Sequence, residues 1–122
     1  MRSIALLVMA TALSLAGTGS ASVSSGLRGV VMRGPVTPVC VVGQPCDEPA
    51  ANLKLIFVRD RIVAGRVRTD GQGRYRVTLR PGRYSVRIPG KVLIGRGITP
   101  ATVRVVRGRF VRVDFFVDTG IR

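Results

Sequence analysis

Six carboxylates, two cysteines and no histidine limit the chemistry this 122-residue chain can carry. Without histidine, the usual general base near neutral pH and the commonest metal ligand are both missing, and a serine triad cannot be assembled in its usual form. The acids are scattered: Asp47 and Glu48 are adjacent, Asp60 and Asp70 sit in turn sequences, and Asp114 and Asp118 lie near the C-terminus. Asp47 and Glu48 could contribute to a calcium site, but two consecutive acids amid so much positive charge are better employed in pairing with arginines. Asp70 is expected to bond the backbone of its own turn. Phosphate-loop patterns fail, because Gly90-Lys91 is followed by Val92 and Ser85 stands where the first glycine belongs. Gly71 and Gly73 lack the third glycine and the helix of a dinucleotide site. No catalytic residue, cofactor or metal site is expected.

Cys40 and Cys46 are separated by five residues, which reads as a structural disulfide. Tetrahedral zinc would need two further soft or imidazole ligands, and the spacing is not that of a C-x-x-C redox pair. Closing so small a loop contributes about 2 kcal/mol. Its main expected effect is to hold the proline-rich loop 36–49 in one shape.

The elements that must position these groups are strands. The N-terminus stands apart: Met1-Arg2-Ser3 precedes an apolar run over 4–16, broken only by Thr11 and Ser14, and then small residues. That order is the layout of a signal peptide, so 1–21 is assigned as a signal-peptide helix cleaved after Ala21, with an uncleaved anchor as the competing reading. The run is shorter than the roughly 18 residues a spanning helix needs, so no stable transmembrane segment is expected after cleavage. Residues 22–122 form one domain, secreted or otherwise extracytoplasmic.

Within that domain, period-2 alternation dominates. Strands are expected over 27–33, 52–59, 62–69, 74–79, 83–88, 102–106 and 109–117, with turns at Asp60-Arg61, at 70–73, at Pro81-Gly82 and at Arg107-Gly108. Leu53, Leu55, Phe57, Tyr75, Val77, Leu79, Tyr84, Val86, Ile88, Val111, Val113, Phe115 and Val117 take the inward positions. About seven short strands with one greasy face each imply an all-β, small antiparallel, Greek-key-like β-sandwich. A membrane barrel is excluded, because its outward face would carry the arginines into lipid.

The chain carries 20 Lys+Arg against 6 Asp+Glu, a formal charge of +14. Arginine supplies almost all of it, a skew that a compositional bias of the source genome would also produce. Arg66, Arg68, Arg74, Arg76, Arg83 and Arg87 take outward positions on three strands joined by tight turns. If those strands pair in sequence, the six form a basic ladder across one face. Such a ladder serves either as a solvated surface that blunts strand edges or as a platform for a polyanion such as teichoic acid, acidic polysaccharide or anionic headgroups. Nucleic acid is disfavoured, since there is no tryptophan and most aromatics alternate inward. Phe110 and Phe116 are the exceptions, sharing a face with Arg112, and are expected to pack under the connection 89–101.

The stretch Thr69-Asp70-Gly71-Gln72-Gly73-Arg74-Tyr75-Arg76-Val77-Thr78-Leu79-Arg80-Pro81-Gly82-Arg83-Tyr84-Ser85-Val86 resembles the T-D-x-x-G-x-[YF]-x-[FV]-x-L-x-P-G-x-Y-x-[VL] core of carboxypeptidase regulatory-like domains. These are related in fold to transthyretin-like (prealbumin-like) and collagen-adhesin B-type modules. The likeness covers 26–86 well and the remainder loosely. It implies a binding, packing or stabilising module without chemistry of its own. The Lys–Asn isopeptide bond of some collagen-adhesin modules does not carry over, because the sole asparagine, Asn52, shares a strand with Lys54.

The reading is therefore a secreted, non-catalytic β-sandwich module for binding or an envelope-accessory role. Its partner is either a protein or an anionic cell-envelope polymer. The alternatives are a non-specific cationic binder of envelope polymers or polysaccharide, and a small inhibitor or enzyme using the loop closed by Cys40 and Cys46.

Overall fold

The computed structural model describes residues 24–90 and 97–121. The expected signal segment 1–21, Lys91 and Val92 lie outside the described residues. Among the described residues every regular element is a strand, and no helix is long and apolar enough to cross a membrane.

The ten strands are β1 (Gly26–Gly34), β2 (Glu48–Pro49), β3 (Lys54–Arg59), β4 (Ile62–Arg68), β5 (Arg74–Thr78), β6 (Gly82–Arg87), β7 (Ile98–Thr99), β8 (Thr102–Val105), β9 (Phe110–Arg112) and β10 (Phe115–Asp118). Seven were expected. The additional ones are the two-residue strands β2 and β7 and a break in the last strand. The two halves of that strand, β9 and β10, keep one register against β1, with Leu27 opposite Val111 and Val31 opposite Phe115. The ladder lapses at Val113 and Asp114, where the Asp114 carboxylate accepts the Val30 N–H at 2.9 Å in place of a backbone carbonyl.

Two sheets result. The four-stranded sheet runs β4-β3-β6-β8. The six-stranded sheet is built on β1, which pairs antiparallel with β5 and β2 on one side and parallel with β9 and β10 on the other, with β7 beyond β10. The other pairings are antiparallel, as expected.

One expectation fails. The strands joined by the turns at 70–73 and at Pro81-Gly82 would form the basic ladder only by pairing in sequence, but β5 pairs with β1 and with neither β4 nor β6. Both turns are arches that carry the chain from one sheet to the other and back. The reason lies in β1. The Gly73 carbonyl accepts the Val31 N–H at 2.8 Å, and Gly73, at φ 77°, lies so close to the Val31 carbonyl that a Cβ would meet it at 2.5 Å. This contact delivers β5 to β1, where Tyr75 to Thr78 pair with Gly29 to Gly26. By contrast Asp60-Arg61 is a true two-residue hairpin turn, both residues taking the positive φ that a type I′ turn requires.

The core lies between the sheets. Tyr75, Tyr84 and Phe115 are 5%, 3% and 2% exposed, and Leu27, Val31, Leu55 and Phe57 are fully buried with them. Phe57, Tyr75 and Phe115 form a ring cluster with centroids 5.5–6.4 Å apart, in the range where aromatic pairs attract. The Tyr84 hydroxyl donates to the Arg80 carbonyl at 2.6 Å, four residues upstream, which locks the arch into β6 much as a tyrosine corner does.

Candidate functional site

The move of β5 to the other sheet divides the six expected arginines. Arg66 and Arg68 on β4 and Arg83 and Arg87 on β6 stay on the outer face of the four-stranded sheet. Arg74 and Arg76 stand on the outer face of the six-stranded sheet. The continuous six-residue ladder does not form.

The four-stranded face gains two cations that sequence reading left out of the ladder. β3 contributes Lys54, half-buried at the edge of the row, and β8 contributes Arg104, exposed. In register, Lys54 stands opposite Arg68 and Arg83 opposite Arg104, while Ile56 lies between Arg66 and Arg87. No Asp or Glu occurs in any of the four strands. Directly opposed like charges destabilise a sheet by a few tenths to about 1 kcal/mol per pair, and this face carries two such pairs. Arg68 is steadied by the Asn52 carbonyl at 3.1 Å. Among the described residues the ion pairs are Arg33–Glu48, Arg59–Asp60, Arg74–Asp70 and Arg112–Asp114, none of which involves these six cations.

The six-stranded sheet has a smaller basic row. Arg28 on β1 stands in register with Arg76 on β5 and Arg112 on β9. Arg76 stacks over the Phe110 ring at 3.7 Å, and Phe110 in turn covers Gly26, where a Cβ would meet the ring at 2.6 Å. Arg112 pairs with Asp114 at 3.3 Å. Phe110 thus packs on Gly26 and Arg76. Phe116, partly exposed, stands in register with Thr99 of the connection under which both rings were expected.

The acids are structural in their contacts. Asp70 accepts the Gln72 and Arg74 N–H groups at 2.8 and 2.9 Å and the Arg74 guanidinium at 2.9 Å, as its turn sequence implied. The Arg74 N–H bond is the largest cause holding the Asp70 carboxyl below its usual range. Glu48 pairs with Arg33. Among the described residues no three His, Cys, Asp or Glu side chains cluster as metal ligands. Burial, then the nearby Asp114 charge, pushes the Tyr75 phenol far above its ordinary value. Its hydroxyl donates to the Val113 carbonyl at 2.6 Å.

Cys40 and Cys46 are joined, with Cα atoms 5.5 Å apart. The loop they close presents Val39 and Val42, 71% and 100% exposed, to solvent. An open cleft of about 710 Å³ lies between the β3–β4 turn and the β5–β6 arch. Arg59 spans it, donating to the Pro81 carbonyl at 3.1 Å with Tyr84 behind it.

No family model matches the chain, and no curated protein matches it. Among solved structures it is similar to a minor pilin of the Gram-positive pathogen Streptococcus agalactiae, at 18% identity and a TM-score of 0.47. That alignment covers 80% of this chain and spans 46% of the pilin chain.

Proposed function

We propose that this domain is an exported, non-catalytic module that holds an anionic cell-envelope polymer on the outer face of its four-stranded sheet. The observation that carries the reading is the pair of like-charge register contacts, Lys54 with Arg68 and Arg83 with Arg104, on a face whose strands contain no acid. An anion seated across either pair converts repulsion into two charge-assisted hydrogen bonds, and the planar arginine fork suits phosphate and carboxylate alike. The Cys40–Cys46 disulfide is consistent with an oxidising, extracytoplasmic setting.

The test is retention of residues 22–122 on immobilised polyphosphate and on an immobilised uronic-acid polysaccharide across a salt series. Retention at low ionic strength that falls steeply with salt supports the reading, since the screening length shortens from about 30 Å at 0.01 M to about 3 Å at 1 M. The better-retaining matrix identifies the anion chemistry. Retention on neither defeats the proposal.

The exposed Val39 and Val42 favour a second reading, in which the disulfide loop meets an apolar patch on a protein partner. Salt-insensitive binding that is lost with the disulfide would select it.

A further inference from the structure

We infer that the sandwich is bivalent for phosphate polymers and bridges two of them, one on each outer face. The inference rests on the polymer-binding reading above and extends it to the second sheet. The arches that place β5 beside β1 set Arg76 in register with Arg28 and Arg112, so the six-stranded sheet carries its own row of three guanidinium groups.

Two features make this row a binding surface in its own right. Arg28 has a cation opposite it on both flanking strands, a repulsion of the kind that a bridging anion relieves. Its neighbours are held in place, Arg76 by the Phe110 ring and Arg112 by Asp114. Positioned guanidiniums lose less side-chain freedom on meeting a phosphate than solvated ones do. The faces act independently. Packed sheets lie about 10 Å apart and the side chains point away from each other, so the two rows are separated by more than the ~8 Å screening length at physiological salt. A single stiff surface cannot touch both.

Polyphosphate-coated beads test this, because a rigid support prevents one polymer from wrapping both faces. Three variants carry the same change in net charge. The first is Arg66→Glu/Arg83→Glu/Arg87→Glu on the four-stranded face. The second is Arg28→Glu/Arg76→Glu/Arg112→Glu on the six-stranded face. The third is Arg61→Glu/Arg80→Glu/Arg107→Glu in the turns. Arg28→Glu alone, with an arginine on either side, is the gentler form of the second should the triple variant fail to fold. The unmodified protein is expected to agglutinate the beads at low salt. Each face variant should still bind them but lose agglutination at least tenfold in protein titre, while the turn variant agglutinates like the unmodified protein. Agglutination that survives loss of either face, or falls equally in the turn variant, overturns bivalency. So does complete loss of binding when the four-stranded face alone is altered, which leaves the single-face function standing. Absence of binding by the unmodified protein overturns bivalency for phosphate polymers, and it defeats the single-face function only when the uronic-acid matrix also fails to retain the protein.

Discussion

The Tyr75 hydroxyl donates to the carbonyl of Val113 at 2.6 Å, tying β5 to the point where the last strand breaks into β9 and β10. The bond joins the two strands that flank β1, one on each side. Tyr75→Phe keeps the ring in its cluster with Phe57 and Phe115 but leaves the carbonyl without its phenol partner. The expected loss is about 1–2 kcal/mol, or a fall in Tm of roughly 5–10 °C, read by thermal melting. Burial of the same phenol, and then the nearby Asp114 charge, set an alkaline limit. The folded phenol ionises above its unfolded value, near pH 10, so its contribution is complete below that pH and is lost as pH rises further. Stability of the wild type should decline above about pH 10 more steeply than that of Tyr75→Phe.

Gly71 and Gly73 occupy the same turn yet should respond oppositely to a methyl group. A Cβ on Gly71 meets nothing within 4 Å. At Gly73 the φ of 77° strains any L-residue, and the Cβ would press on the Val31 carbonyl and on Pro49. Gly73→Ala is expected to cost about 2–4 kcal/mol and Gly71→Ala about zero, measured by denaturant unfolding. Comparable losses at both would refute the arch geometry.

That contrast marks the boundary of what the sequence discloses. Alternation tells which side chains point inward, so Tyr75, Tyr84 and Phe115 were legible as core and the main strands fall within a residue or two of their expected limits. Alternation says nothing about which neighbour a strand takes. In a sandwich both sheets share one core, so an inward Tyr75 is equally satisfied on either sheet, and a short glycine turn can close an arch as well as a hairpin. What settles the matter is the docking of Gly73 on Val31, a contact between residues far apart in the chain. For the same reason Arg104 and Lys54 were readable as outward but not as partners of Arg83 and Arg68. Arg74 and Arg76 were grouped with a face they do not join.

Asp70 should govern the acid limb of the stability profile. Its folded carboxyl titrates below the usual range, so its stabilisation is fully present above the unfolded carboxylate pKa, near 3.9, and disappears as pH falls through the lower folded value. In Asp70→Asn the amide oxygen keeps part of the turn bonding but cannot titrate. Tm measured from about pH 6 to about pH 2 should therefore fall less steeply in the variant, the two curves converging at the acid end. Parallel curves would show that the Asp70 turn is not the titrating element.

Replacing Cys40 and Cys46 together by serine separates scaffold from site. The bridge closes a solvent-exposed loop that contains no Lys or Arg of its own, so unfolding should be easier by about 2 kcal/mol while retention on polyphosphate at each salt concentration stays the same. Retention that drops in proportion to the loss of the loop would move the binding surface to Val39 and Val42.

Arg104→Glu sets stability against binding at a single position. Opposite Arg83 it replaces a repulsive register pair with an attractive one on an exposed sheet face, so the variant should be more stable than the wild type by about 0.5 kcal/mol, or a few degrees in Tm. The same substitution fills the anion position from within, so elution from polyphosphate should shift to lower salt. Arg104→Gln, which removes the repulsion without supplying the anion, should be intermediate in both measurements. A surface kept only for solubility predicts a gain in stability with no change in elution. A gain in stability accompanied by weaker retention means that the repulsion between Arg83 and Arg104 is tolerated because a ligand relieves it.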